Sequence, residues 1–467
     1  MTLMKHLKYL LLAAMPLAFV ACDKEDEPDF VPALEFATDK LSADAAGGIL
    51  SVDVKADMPY EVVMPQDAEW VKLAEEAQTE AATLTFEVEK NTAATARTAA
   101  VIIRASEGIT PADTLHITQS GLDDAADITA EFDPAFATLL QEKGYIGNSQ
   151  HITPADVKGI MKLDVSGTSE DYEEGKGLTS LKGIEYFTAL LFLDCGGNQL
   201  TALDVSQNTA LTELGCYWNR LASLNVSRNT ALLKLACNKN ELTSLDVSQN
   251  TALTELSCDA NQLTSLDVSR NAALTLFSCA ENQLTSLDVS QNTALNDLIC
   301  ARNQLTTLDV SRNTALTALS CRENQLTALD VSQNTELAEL SCDANQLTSL
   351  DVSGNPYLYY FSCVENQLTT LDVSQNTALV HLFCQNNQLT ALDVSRNTAL
   401  LNLDCENNRL TSLDVSHNTK LGYLNCYDNP GLDGIFKVAL WPGSELTAWY
   451  ESWEYNGQTV TVEYTGR

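Results

Sequence analysis

Apolar residues recur with a period of 21 over the greater part of the chain. From residue 178 to 429 each unit reads LxxLxCxxNxLTxLDVSxNTx, where x is a variable residue. Strand side chains alternate between two faces, so the apolar positions of LxxLxC share one side of a strand, as do those of LTxLDV. About five residues separate the two arms, too few for a helix. The pattern predicts stacked coils, each with an extended segment on both sides of a narrow apolar interior.

Two other patterns precede this array. Residues 33–121 alternate apolar and polar residues in short runs such as ATLTFEVEKN, which predicts β-strands separated by turns. Residues 122–177 carry helix signals, because Asp133 and Thr153 are each followed by proline at a candidate first helical position. We therefore expect a β module and then a helical N-terminal cap.

The chain after the last repeat, residues 430–467, loses the period and contains Trp441, Trp449 and Trp453. The open end of a coil stack exposes apolar core and unpaired strand edges. These tryptophans are therefore expected to form the lid of a β C-terminal cap, with a ligand site as the alternative.

The array carries the LxxLxLxxN signature with cysteine at its last apolar position. It is similar to leucine-rich repeats, and most closely to the 21-residue cysteine-ladder type of the adhesin internalin J. The resemblance implies a mainly β protein: an immunoglobulin-like β-sandwich followed by a leucine-rich-repeat solenoid with a helical N-terminal cap and a β C-terminal cap. It also implies a non-catalytic binding or adhesion scaffold.

The β module has its own resemblance. Trp70, then Asn91 and Arg97 six residues later, and a closing Gln119-Ser120-Gly121 resemble the BACON domain, an immunoglobulin-like sandwich of surface glycan-handling proteins. The resemblance leaves two roles open, a spacer and a glycan-binding module. Because sandwiches tend to bury their tryptophan, we expect Trp70 in the core.

The N-terminus has the pattern of an exported lipoprotein. Residues 1–21 contain two lysines and then an apolar run that is too short to span a bilayer, which predicts a signal peptide. The sequence FVAC ending at Cys22 resembles a bacterial lipobox, although Phe19 stands where leucine is preferred. This resemblance implies lipidation of Cys22, with ordinary cleavage near Ala21 as the alternative.

Residues 22–32 form an acidic linker, and its DKEDE run resembles the surface-export tag of some Gram-negative lipoproteins. A solvated run of like charges is the alternative. We expect an outer-membrane lipoprotein displayed on the cell surface.

A cysteine occupies the same place in every repeat. The twelve are Cys195, Cys216, Cys237, Cys258, Cys279, Cys300, Cys321, Cys342, Cys363, Cys384, Cys405 and Cys426. Disulfides are the rival explanation in an exported protein, but stacked coils hold successive Cβ atoms about 4.8 Å apart, whereas a disulfide needs about 3.8 Å. A straight row of thiols also cannot form a tetrahedral metal site. We therefore expect a structural ladder of reduced, buried thiols.

Two polar rows accompany the thiols. An asparagine stands three residues after each cysteine, where its amide can satisfy turn backbone that would otherwise be buried unpaired. Asp204, Asp246 and their equivalents to Asp414 form a column on the opposite side, interrupted by Asn225. Either each carboxylate accepts backbone N–H bonds at its turn, or cations lie along the row.

On the LxxLxC strand the repeat leaves four positions per coil free: three and one before each cysteine, and one and two after it. We call the surface they form the strand face, and expect it to be concave and exposed. Its candidate ligand-binding residues are Phe192, Tyr217, Trp218, Tyr360, His381, Phe383, Asn402, Tyr423 and Tyr427. Exposed aromatic rings supply rigid contact area for proteins or sugars. Packing on the end caps is the alternative, above all for Tyr423 and Tyr427.

Charge narrows the range of partners. The chain of 467 residues has a formal net charge of −36, which argues against nucleic acid and against docking on anionic lipid through a basic patch. No nucleophile motif, phosphate loop or metal-ligand spacing is present, so no enzyme, cofactor or metal is expected. We expect a monomer that binds an extracellular protein or glycan. The alternatives are a glycan-capture component of a nutrient-uptake system and a purely structural surface protein.

Overall fold

The computed structural model describes residues 33–74, 83–106, 112–448 and 450–466. The expected signal peptide, the lipidation site Cys22 and the acidic linker lie outside the described residues. Two compact units are present. One runs to Asn91 and includes Ala96–Ser120, and the other comprises Thr92–Thr95 and the chain from Gly121 onwards.

The first unit consists of two four-stranded sheets. In strand order, one sheet is Leu34–Phe36, Gly48–Ala56, Thr83–Val88 and Val71–Leu73, and the other is Lys40–Ala43, Ala112–Gln119, Arg97–Ala105 and Tyr60–Val63. Neighbours are antiparallel except for Lys40–Ala43, which runs parallel to Ala112–Gln119. Alternate residues of both sheets are buried in one hydrophobic cluster, as strand geometry requires.

The residues that carry the BACON resemblance form one buried network in this unit. The Arg97 guanidinium lies 4.4 Å from the centre of the Trp70 ring, and Trp70 is buried, as predicted. Arg97 Nε donates to Gln119 Oε1 at 2.8 Å, and Gln119 Nε2 donates to the Glu89 carbonyl at 2.9 Å. Asn91 is also buried. These residues hold the unit together, and the Trp70 ring is covered.

The second unit begins with short helices where the sequence predicts helix starts. Its helices are Pro134–Glu142, Pro154–Val157 and Ser169–Glu173, with 3-10 turns at Thr129–Glu131 and Ile184–Tyr186. The Asp133 side chain accepts the backbone N–H of Ala135 at 2.9 Å, which caps the first helix. Buried apolar residues of this segment belong to the same cluster as the repeat interior. No helix in the part of the chain that the structure describes is long and apolar enough to cross a membrane.

The repeats stack as one parallel sheet of 13 strands. In order along the sheet these are Lys162–Asp164, Phe192–Asp194, Glu213–Gly215, Lys234–Ala236, Glu255–Ser257, Leu276–Ser278, Asp297–Ile299, Ala318–Ser320, Glu339–Ser341, Tyr360–Ser362, His381–Phe383, Asn402–Asp404 and Tyr423–Asn425. The central residue of each repeat strand is a buried Leu or Phe opposite its counterpart in the next coil, for example Leu298 opposite Leu319. Every equivalent side chain therefore lies in a row along the stack.

The opposite arm of the coil is apolar and buried but is not paired as a continuous sheet. Leu305 and Val310 are buried as expected, but most LTxLDV arms form no strand. Among the described residues, strand pairing on this side is limited to Ser412–Asp414 and to single bridges near the two ends of the array. The predicted apolar arm is therefore present on this side, but without a continuous β ladder.

A second row of asparagines, in the SxN part of the repeat, explains how this arm is held. The Asn313 amide donates to the carbonyls of Val289 and Asn292 in the preceding coil, at 3.0 and 2.9 Å, and the side chain is fully buried. Equivalent bonds recur at each position from Asn229 to Asn418. Side-chain amides thus replace the backbone ladder on this side.

The asparagines after the cysteines act in the way the sequence predicts. Asn303 Nδ2 donates to the carbonyls of Cys279 and Cys300, at 3.0 and 3.2 Å, while its Oδ1 accepts the Leu284 N–H at 2.9 Å. One amide therefore satisfies backbone groups of two coils that would otherwise be buried without partners.

The chain after the last repeat forms a sheet with the final LTxLDV arm. Its strands, in order, are Ser412–Asp414, Ile435–Ala439, Gln458–Thr465 and Ser452–Tyr455. Trp453 is buried, and its indole N–H donates to the Asn429 carbonyl at 2.8 Å. Trp441 is half-buried against the same cluster, and Trp449 lies outside the described residues. Trp453 and Trp441 thus pack in the same apolar cluster as the repeat interior.

We expect Asn313→Asp to lower the free energy of unfolding by at least about 3 kcal/mol, because a carboxylate would face two carbonyl oxygens and lose both donors. Asn296→Asp is the matched control, since Asn296 is exposed, and should cost less than about 1 kcal/mol. Guanidinium titration followed by circular dichroism measures both. Equal losses in the two variants would contradict the structural role of the second asparagine row.

Candidate functional site

The cysteine row is buried, and burial lowers the reactivity of its thiols. All twelve cysteines are buried and free of disulfides. Burial raises the pKa of Cys300 to about 12, and that of Cys237 to a similar value. Cys258 donates its thiol proton to the Ser278 carbonyl of the next coil, at 3.5 Å. Within the described residues, no group of three or more His, Cys, Asp or Glu side chains is arranged to hold a metal ion.

The residues of the aspartate column accept backbone hydrogen bonds within their own turns. Asp288 Oδ1 accepts the Ser290 N–H at 2.9 Å, and bonds with Ser290 hold the pKa of the Asp288 carboxyl below its usual value. Asn225, which interrupts the column, accepts the Ser227 N–H at 3.0 Å in the same way. An amide oxygen can replace the carboxylate there because the turn needs one acceptor. The backbone hydrogen bonds of the first interpretation are therefore present at these turns.

Three candidate residues of the later coils come together on the strand face. Tyr360 lies on one strand, and His381 and Phe383 lie on the next, where alternation points both toward the same side. Their ring centres are 5.7 to 6.4 Å apart, and the His381 and Phe383 planes differ by 2°. All three are half-buried. We call this set the aromatic cluster.

Polar side chains continue the surface beside the aromatic cluster. Asn402 is in register with His381. Tyr423 donates its hydroxyl proton to Asp404 Oδ2 at 3.2 Å, and Asn425 Nδ2 donates to the same oxygen at 3.1 Å. Asp404 is buried, so its carboxylate is fixed in orientation by these donors. The apolar rings therefore lie next to a buried, ordered carboxylate and the half-buried Asn402 amide.

Tyr427 belongs to a different environment. Its ring centre lies 4.6 Å from that of Tyr450 and 5.8 Å from that of Trp453. Both neighbours come from the C-terminal segment, so Tyr427 packs on that segment, which was the alternative interpretation. Tyr423 instead remains with Asp404 on the strand face.

Tyr217 and Trp218, which are neighbours in an early coil, also lie in two different environments. Trp218 packs edge-on against Tyr172 at 5.8 Å between ring centres, with Lys239 Nζ 4.0 Å from its ring centre. Tyr217 donates its hydroxyl proton to Asp194 Oδ2 at 3.0 Å, and burial together with Asp194 raises the pKa of Tyr217 to about 12. Trp218 therefore contacts the N-terminal helical segment, while Tyr217 lies on the strand face.

Position and backbone conformation explain part of this division. The residue two after each cysteine has a positive φ throughout the array, from Gly197 to Asp428. Left-handed backbone at this position ends the strand and turns the chain. Trp218 occupies this position with φ 51°, so its side chain leaves the strand row that contains Tyr217. Sequence reasoning missed this turn because the position carries no glycine after the first coil.

Comparison with solved structures identifies similar proteins. The chain is similar to the functional domain of InlJ from Listeria monocytogenes, which includes a cysteine ladder, with 36% identity, a TM-score of 0.54, and coverage of 65% of this chain and 78% of that chain. It also has the fold of an internalin, InlF, from the same species, with 24% identity, a TM-score of 0.59, and coverage of 66% and 93%.

One family model matches the first unit. Residues 60–120 match BACON, described as "Putative binding domain, N-terminal". Comparison with curated proteins gives no match. The predicted resemblances to BACON and to the cysteine-ladder repeats are both confirmed.

The buried thiols predict alkaline lability. The pKa of an unfolded cysteine is near 8.5, whereas burial raises the pKa of folded Cys300 to about 12. Since the unfolded chain then binds fewer protons, stability is fully present below about pH 8.5 and falls as pH rises towards 12, by up to about 1.4 kcal/mol per pH unit for each thiol. Denaturant titrations at pH 7.5 and 9.5 measure this loss.

A variant without Cys22 tests the thiols directly. With Cys22 replaced by alanine, the folded chain should not react with a thiol reagent at pH 8, and twelve thiols should react after denaturation without reductant. Reaction of the folded chain, or few free thiols in the denatured chain, would refute the buried, reduced ladder.

Proposed function

The chain belongs to the family of leucine-rich-repeat proteins with a cysteine ladder, and we propose that it is a non-catalytic surface scaffold that binds an extracellular protein or glycan through its strand face. The observation that carries the proposal is the aromatic cluster of Tyr360, His381 and Phe383, which is half-buried beside an ordered carboxylate on that face. Rigid rings next to fixed polar groups are typical of binding anchors.

The other rows of the coil support this choice of face. The cysteines and both asparagine rows are buried, and one oxygen of Asp288 and of Asp309 accepts a backbone N–H in its own turn. On the strand side of each coil, the four free positions can vary without loss of core packing. Thirteen strands at about 4.8 Å give a face roughly 60 Å long, enough for the roughly 800 Å² per partner of a standard interface.

A glycan-capture component of a nutrient-uptake system is the second candidate. It is supported by the BACON match at residues 60–120. Trp70 argues against a sugar platform on that unit, because its ring is buried beneath Arg97. We therefore propose a spacer role for the first unit, which we infer to be an immunoglobulin-like sandwich. A purely structural surface protein is the third candidate.

We further infer that residues 122–177 are the helical N-terminal cap of the solenoid and residues 430–467 its C-terminal cap. The support is that apolar residues of both segments share the cluster of the repeat interior. The chain is proposed to be a monomer with no cofactor, no metal and no nucleic-acid partner. Its proposed location is the cell surface, as an outer-membrane lipoprotein anchored through Cys22.

The binding face is tested with two matched variants. Replacing Tyr360, His381 and Phe383 with alanine should weaken binding by at least about 2 kcal/mol, whereas Asp288→Asn with Asp309→Asn should change it by less than about 0.5 kcal/mol. Glycan and extracellular-protein arrays probed with the chain lacking residues 1–21 supply the ligand, and calorimetric titration measures affinity. Greater sensitivity of the aspartate pair, above all with calcium present, would assign binding to the opposite side.

The anchor has a separate test. Cys22→Ala should leave the protein without lipid, and either released or retained as precursor, because the modified thiol is lost. Metabolic labelling with a fatty-acid analogue measures this. Label that persists in the variant would exclude Cys22 as the attachment site.

A further inference from the structure

A cavity opens on the strand face near the start of the array, well before the aromatic cluster. It has a volume of about 230 Å³ and is lined by residues of five consecutive coils, from Phe192 to Leu276. Its existence follows from the sequence of the row one residue before each cysteine. That row reads Asp194, Gly215, Ala236 and Ser257 in successive coils, so small side chains form a floor between larger neighbours.

The pocket wall nearest the N-terminal end of the array is fixed by side-chain contacts. Tyr217 extends over Gly196, where a Cβ atom would come within 2.4 Å of the ring, so glycine is required there. The Tyr217 hydroxyl donates to Asp194 Oδ2 at 3.0 Å, and Asp194 Oδ1 accepts the Gly196 N–H at 3.0 Å. Phe192 completes this wall. A fixed ring beside a floor of small residues is a preformed pocket and needs no rearrangement to admit a ligand.

Carboxylates outnumber ammonium groups around the pocket, where Lys162 Nζ also lies 4.7 Å from the centre of the Phe192 ring. The lining of the pocket contains the carboxylates of Asp194, Glu213 and Glu255 and one ammonium, that of Lys234. Lys234 Nζ is 2.7 Å from a Glu255 oxygen, so this ammonium is already paired. The rim is therefore acidic, while Phe192 and Leu276 leave the interior apolar.

We propose that this pocket receives one apolar side chain from a basic segment of a partner protein. The volume is below the roughly 300 Å³ of pockets for drug-sized ligands and suits a single aromatic or branched aliphatic anchor. Lysine or arginine residues flanking that anchor would meet the carboxylates of the rim. Because the pocket lies on the strand face, the inference rests on the proposed function, but it specifies a second site with its own residues and its own ligand chemistry.

Short peptides test the proposal directly. The probe is a nine-residue peptide with a central phenylalanine flanked by two lysines on each side, compared with versions that carry central alanine or flanking glutamates. Calorimetric titration against the full chain should show the lysine–phenylalanine peptide binding at least tenfold more tightly than either comparison peptide. Absence of binding at millimolar peptide, or equal affinity for the central-alanine peptide, would overturn the proposal.

Variants of the chain locate the binding. Ala236→Leu fills the floor of the pocket from an outward-facing position and should weaken the lysine–phenylalanine peptide at least tenfold. Ser320→Leu makes a similar change in the same row of a coil outside the pocket and should leave affinity unchanged. Glu213→Gln should weaken binding several-fold at low salt and little at high salt, as screening predicts. Loss of binding in Ser320→Leu, or none in Ala236→Leu, would overturn the assignment to this cavity.

Two further outcomes separate this site from the proposed function. The variant that lacks the Tyr360, His381 and Phe383 rings should bind the peptide normally, so failure of one site does not imply failure of the other. Binding of a neutral oligosaccharide that Ala236→Leu abolishes, without binding of the peptide, would assign the pocket to a sugar and overturn the proposal.

Discussion

Backbone groups inside a narrow coil stack must be paired without water, and this constraint shapes most of the repeat. A coil of 21 residues has too little backbone in strands to satisfy itself, because each repeat strand is three residues long. Two asparagine amides per coil supply the missing partners, as at Asn303 and Asn313. The stack is thus held by side-chain amides on one side, by a short β ladder on the other, and by apolar residues between them.

Several conspicuous side chains have structural roles in this arrangement. The thiol of Cys300 is a chemically conspicuous group, yet it is buried with its pKa raised to about 12. The carboxylate of Asp288 is exposed but serves its own turn. The strand face, which we propose for recognition, carries Tyr217 and Tyr360, both half-buried at positions that the repeat leaves free. Within the repeat, structural residues and variable solvent-facing residues therefore occupy different positions.

The strand face is not uniform along its length. Near the start, small residues such as Gly215 and Ala236 open a cavity with an acidic rim, and near the end the rings of Tyr360 and Phe383 stand together. Between them, Arg302 pairs with glutamates of the coils on either side, at 2.8 and 2.9 Å. Two chemically different surfaces are thereby carried on one regular scaffold.

Periodicity and alternation in the sequence determined the coil, the buried rows and the outward positions, because each depends on contacts repeated every 21 residues. Tertiary structure alone decided which candidate rings share a surface. Tyr427 and Tyr423 lie in one coil, but Tyr427 packs on Tyr450 while Tyr423 bonds to Asp404. The first contact involves a segment without the repeat, so no period in the sequence encodes it. The LTxLDV arm is likewise joined to the neighbouring coil by asparagine amides. The alternation of apolar residues does not predict these bonds.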